Sequence, residues 1–116
     1  MTHRLRAERV SWDAPRHVYF IQAGNRNAPI KIGIATDPRR RLEDMQTSNP
    51  NRLVLLGYTP LIPHARATEE FFHDVFRALW IRREWFRATP ELLDAADDFC
   101  DRRNASFWQD HGVGVA

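Results

Sequence analysis

Hydrophobic positions come in short blocks along this chain, and their spacing changes from block to block. Residues 17–22 and 30–35 form two compact apolar runs around a loop rich in Gly, Asn and Pro. That is the pattern of a β-hairpin whose connection, at about seven residues, is longer than the tightest turns. Thr36-Asp37-Pro38 follows at once, a capping side chain and then proline at the first helical position. A helix over residues 38–47 would turn Leu42 and Met45 inward. Ser48-Asn49-Pro50-Asn51 marks a turn, and residues 52–59 read as a third strand, apolar enough to be central or covered on one face.

Pro60 and Pro63 lead into a second helix over residues 65–79. At about 100° per residue, Phe71, Phe72, Val75, Phe76, Leu79 and Trp80 fall on one arc, opposite Glu70, Asp74 and Arg77. Glu69 and His73, four residues apart, lie together at the border of that arc. Glu69 is therefore expected at the rim of the core and Glu70 in water. Residues 82–86 (RREWF) read as an edge strand or a bend against the sheet. Thr89-Pro90 then caps a third helix with an apolar stripe of Leu92, Leu93, Ala96, Phe99 and Cys100. Asp94, Asp97, Asp98 and Asp101 line its other side as a solvated acidic face rather than a metal site.

With 116 residues the chain can build one core. Residues 1–16 read as a basic arm carrying Arg4, Arg6, Arg9 and Arg16, frayed except where Val10 and Trp12 touch the body. Residues 17–105 make the domain, and residues 106–116 form a tail that packs Phe107 and Trp108. A single cysteine rules out an internal disulfide framework and paired-cysteine zinc sites, and it fits a reducing, cytoplasmic setting. No apolar run approaches a membrane span.

The net charge of +2 does not mark a strongly basic protein, but the supply of charge is uneven. Of seventeen basic side chains, sixteen are arginine, and Lys31 is the only lysine. A codon bias explains the arginines and leaves Lys31 as the exception, at a strand position where a charge needs a partner or a purpose. Tyr19 lies in the first strand, Lys31 in the second, and Arg41 one turn into the helix that follows. Three such groups at one corner of a small sheet read as a phosphate site. Arg39, Arg40 and Arg41 open their helix against its macrodipole, which points to an anion, and Arg83 adds another basic contact for nucleic acid.

Taken together, these residues resemble a GIY-YIG endonuclease domain, in particular the small phage and bacterial branch with a KIG second motif and an EWF segment. The matching pieces are Val18-Tyr19-Phe20, Lys31-Ile32-Gly33, Asp37-Pro38 with Arg41-Leu42, Gln46 with Pro50, Thr68-Glu69 with His73, and Glu84-Trp85-Phe86. His17 stands in place of the first motif's glycine, and Lys31 in place of the second motif's tyrosine. The resemblance implies an α/β (α+β) fold with a small three-stranded antiparallel sheet flanked by three helices. It also implies DNA cleavage with one Mg²⁺ or Mn²⁺ ion held by Glu69. Tyr19 would position or deprotonate the attacking water, and Lys31 would lower the phenol's pKa or act on the water itself. Arg41 would bind a phosphate oxygen, with His73 beside it. Gly33 would leave room for a close approach, and Glu84 would anchor the EWF segment with Trp85, bonded to an arginine.

On this reading the chain is a metal-dependent endonuclease acting on DNA, with RNA as the other candidate substrate. A non-catalytic nucleic-acid-binding module of the same fold is the alternative. A third reading is an interaction protein using Trp85-Phe86 and Phe107-Trp108. With no separate reading module, contacts should fall mainly on the phosphate backbone, so sequence specificity would need a homodimer or a separate partner. Tyr19, Lys31, Arg41 and Glu69 are expected to share one concave face.

Overall fold

The computed structural model describes residues 14–100. The expectations placed on the arm before residue 14, on Asp101, Phe107 and Trp108, and on the rest of the tail lie outside the described residues. Five strands and three helices follow one another among the described residues. They are β1 (His17–Ala23), β2 (Ile30–Ala35), α1 (Pro38–Gln46), β3 (Leu53–Tyr58), α2 (Ala65–Val75), a 3₁₀ turn (Arg77–Leu79), β4 (Trp80–Arg82), β5 (Trp85–Phe86) and α3 (Pro90–Phe99). The sheet runs in the order β3-β1-β2-β5-β4, with each pair antiparallel. This corrects the three-stranded expectation. The RREWF segment, with the two residues before it, folds into a hairpin of its own that extends the sheet past β2. Its strands are only three and two residues long, and its turn uses Arg83 at φ 51 rather than a glycine. Neither feature gives a hairpin signature in sequence. The third strand of the chain, read as central or half-covered, is the edge strand beside β1.

Alternation along the strands splits the core into two layers. Val18, Phe20, Ile30, Ile32 and Phe86 face α2 and α3, where they meet Ala65, Phe72, Leu92 and Ala96. Tyr19, Ile21, Ala35, Leu53 and Leu55 face the other way, against Leu42 and Met45 of α1. Both helix starts expected from proline form as capped turns: Asp37 accepts from the Arg40 N–H at 3.1 Å, and Thr89 from that of Leu92 at 3.2 Å. Gln46 ties the next turn together, donating to the Asn49 and Asn51 carbonyls and accepting from the Leu53 N–H that opens β3.

The apolar arc of α2 is narrower than the sequence indicates. Phe72 is buried and Phe76 is packed against the core, whereas Phe71, Val75 and Trp80 are more than half exposed. The helix ends at Val75, so Leu79 and Trp80 leave its phase. The buried line through Ala65, Glu69 and Phe72 takes the acid further inside than a border position would.

Candidate functional site

Tyr19 and Gly33 are direct partners across the β1–β2 ladder. A Cβ at residue 33 would lie closer than 3.0 Å to the Tyr19 hydroxyl oxygen and ring carbon, so the phenol occupies the space that glycine leaves open. Lys31 and Ile21 form another such pair, which puts the lysine on the same layer as Tyr19. Its Nζ donates to Glu84 Oε1 at 2.6 Å and stands 5.9 Å from the Trp85 ring centroid, a distance that permits a cation–π contact. Glu84 thus anchors its segment to the strand lysine instead of to an arginine.

Glu69 reaches this place from another direction. Its helix packs on the layer of the sheet opposite Tyr19 and Lys31, and the four groups expected on one concave face are linked instead by their mutual electrostatics. What joins them is the outer edge of β2. β5 pairs with β2 only at Ile30 and Lys31, and the Ile32 N–H donates to the Glu84 carbonyl. Beyond that point no described strand continues the ladder on this side. His73 takes the next edge position, its Nε2 bonded to the Ile32 carbonyl at 3.0 Å. A carbonyl only accepts, so Nε2 carries the hydrogen and the ring is held as an edge partner of the sheet. Glu69 lies one helical turn earlier, beside the open edge.

Electrostatics link the groups across that edge. Burial pushes the Tyr19 phenol up to about 12, Arg41 opposes the shift, and Glu84 and then Glu69 add to it. Arg41 is the cation that opposes the rise of the phenol. The Glu69 carboxyl is likewise raised, first by burial and then by Glu84, against His73, Arg66 and Lys31. Glu69 is only 7% exposed and makes no hydrogen bond or ion pair among the described residues. Glu70, its neighbour, is exposed.

Arg39, Arg40 and Arg41 stand exposed on the first turn of α1, and Arg83 is exposed at the β4–β5 turn. Tyr19, Lys31, Arg41, Glu69 and Glu84 thus form one electrostatic cluster, with His73 bracing it and Arg39, Arg40 and Arg83 at its margins. Sequence reasoning did not single out Arg66, whose charge acts on Glu69. Its only signal was a place one turn before the acid, on the same helix.

Among the described residues no group of three or more His, Cys, Asp or Glu side chains could hold a metal ion. A buried carboxylate without a bonded partner among the described residues nevertheless fits a hydrated Mg²⁺ or Mn²⁺, which takes one or two carboxylates and completes its shell with water and phosphate oxygens. No helix among the described residues is long and apolar enough to cross a membrane.

The family model that matches the chain is that of the T5orf172 domain, over residues 16–102. This overturns the assignment to the GIY-YIG endonucleases, which are a different family. T5orf172 domains are associated with nucleic-acid binding and with nucleases. No curated protein and no solved structure matches the sequence. The family match spans most of the chain and all but the margins of the described fold, so the chain belongs to the T5orf172 domain family.

Proposed function

We propose that this domain binds DNA at the β2 edge and hydrolyses its phosphodiester bonds as an endonuclease, with one Mg²⁺ or Mn²⁺ ion held by Glu69. The observation that carries this reading is the state of Glu69: a buried carboxylate, without a bonded partner among the described residues, next to a tyrosine and two cations. A site for binding alone has no use for such an acid, because it repels phosphate unless a cation stands between them. Association of T5orf172 domains with nucleic acid supports the choice of substrate.

When bound, the ion polarises the phosphate and stabilises the departing oxygen. The remaining work falls to side chains of this chain. The Arg41 guanidinium, exposed and close enough to act on Tyr19, binds a non-bridging oxygen and offsets charge that builds in the transition state. Tyr19 keeps its proton at neutral pH, since burial pushes it up to about 12, so its hydroxyl orients the attacking water rather than deprotonating it. Lys31, engaged by Glu84, contributes a fixed positive potential beside the reacting group.

Supercoiled plasmid incubated with Mg²⁺ or Mn²⁺ tests the proposal. Wild-type protein should nick it, whereas Glu69→Ala and Arg41→Ala should not. Retardation without cutting, unchanged in Glu69→Ala, would instead identify a binding module.

A further inference from the structure

The β4–β5 hairpin carries chemistry that the cleavage site does not use. All three residues of β4 are exposed, with Trp80 at 56% and Ile81 at 42%. A free-swinging surface tryptophan would be unremarkable, but this ring is fixed: its Nε1–H donates to the Arg83 carbonyl at 2.8 Å. Arg83 adopts φ 51 there, a left-handed conformation that a non-glycine residue takes at a cost. The hairpin thus spends backbone strain in a turn that also holds an indole out in solvent.

Its charges are one-sided. Arg82, Arg83 and Arg87 are exposed and make no ion pair among the described residues. The single acid of the hairpin, Glu84, is already bonded to Lys31 of the site. That same bond sets the hairpin against the reacting edge, because Glu84 and Arg83 are neighbours in one turn. An exposed ring held by its own hydrogen bond, in a hairpin whose exposed guanidinium groups make no ion pair among the described residues, matches single-stranded nucleic acid, whose bases offer π-faces and whose backbone offers phosphates.

We propose that the β4–β5 hairpin is a second nucleic-acid contact, in which Trp80 stacks on an unpaired base and Arg82, Arg83 and Arg87 hold the backbone next to it. This deepens the reading of the β2 edge as a nucleic-acid site, and it points to substrates with single-stranded or unstacked segments near the cut.

The test is equilibrium binding in EDTA, so that cleavage plays no part, using a fluorescent oligothymidine and a duplex of equal length. Trp80→Ala should weaken oligothymidine binding by roughly 5- to 100-fold and affect the duplex much less, and Trp80→Phe should retain most of the affinity. Arg82→Ala should flatten the slope of log affinity against log salt by about one. If Trp80→Ala and Arg82→Ala bind like wild type while Arg41→Ala is weakened, the hairpin is not a contact, although the β2-edge site stands. If Trp80→Ala changes the mass measured by light scattering and leaves DNA affinity unchanged, the face belongs to a protein interface and the proposal is wrong. Absence of binding by wild type to either probe would overturn the hairpin proposal, while the plasmid assay with Mg²⁺ or Mn²⁺ decides the β2-edge reading separately.

Discussion

Tyr19 and Gly33 face one another across the β1–β2 ladder, and the phenol lies where any side chain at residue 33 would have to go. Gly33 is not needed for an unusual backbone angle, since its φ is outside the left-handed region. It is needed for space. Gly33→Ala should therefore displace the tyrosine ring and destabilise the fold by about 1–3 kcal/mol, the range for overpacking a core. Denaturant unfolding measures the loss, and an unchanged midpoint would show that the ring has room to move.

The Tyr19 hydroxyl should not titrate in the physiological range. Burial raises it to about 12, against an ordinary value of 10.0. A group raised in the folded state contributes its stability below the unfolded value and loses it as pH rises through the folded value, so this contribution fades only above pH 10. Cleavage should accordingly show no Tyr19-dependent limb between pH 7 and roughly 10. Tyr19→Phe should lower the rate by roughly 10²-fold throughout that window. A limb near neutrality that vanishes in Tyr19→Phe would mean the phenol serves as the base.

Glu69 makes the opposite kind of demand at the acid end. Its carboxyl is raised above the ordinary 4.5, chiefly by burial and then by Glu84. The sign follows as for Tyr19: the protonated acid favours folding, and that contribution is lost as pH rises from 4.5 through the raised value. Above its raised value the ionised acid is a burden on stability. Glu69→Gln should unfold at a higher temperature than wild type at pH 7, and the gap should shrink as pH falls below 4.5. Thermal unfolding across this pH range decides this. A less stable variant at pH 7 would show that the carboxylate has a partner holding it in place.

Glu84 connects the lysine to the site, and its charge raises both Tyr19 and Glu69. The Lys31–Glu84 pair is partly exposed, with side chains 19% and 41% accessible, so it is worth no more than about 1 kcal/mol to stability. Its larger effect should be on anions. Glu84→Gln should tighten DNA binding a few-fold at low salt and lose that gain at high salt, as measured by fluorescence anisotropy. Weaker binding in the variant would show that Glu84 is needed to hold Lys31 toward the phosphate.

Much of this was legible in sequence because local chemistry spelled it out. Asp37-Pro38 and Thr89-Pro90 mark two helix starts, and the apolar runs around a Gly/Asn/Pro loop mark the central hairpin. Tyr19, Lys31 and Glu69 stood out because each is a polar group on an apolar element. The β4–β5 hairpin was hidden by its short strands and by a turn built on arginine, where glycine or asparagine would have been the signal. Without that hairpin, neither the partner of Lys31 nor the open edge of β2 could be placed. The edge role of His73 was equally out of reach, since its partner is a backbone carbonyl 41 residues away in sequence.

The most direct test of the account is whether Glu69 holds the ion. Water-proton relaxation with Mn²⁺ and a short DNA duplex, compared between wild type and Glu69→Ala, reads this without requiring turnover. Relaxation enhancement in wild type that is lost in Glu69→Ala, with DNA still bound, is the expected result. Equal enhancement in both proteins, or none in wild type, would contradict the central role given to this buried acid.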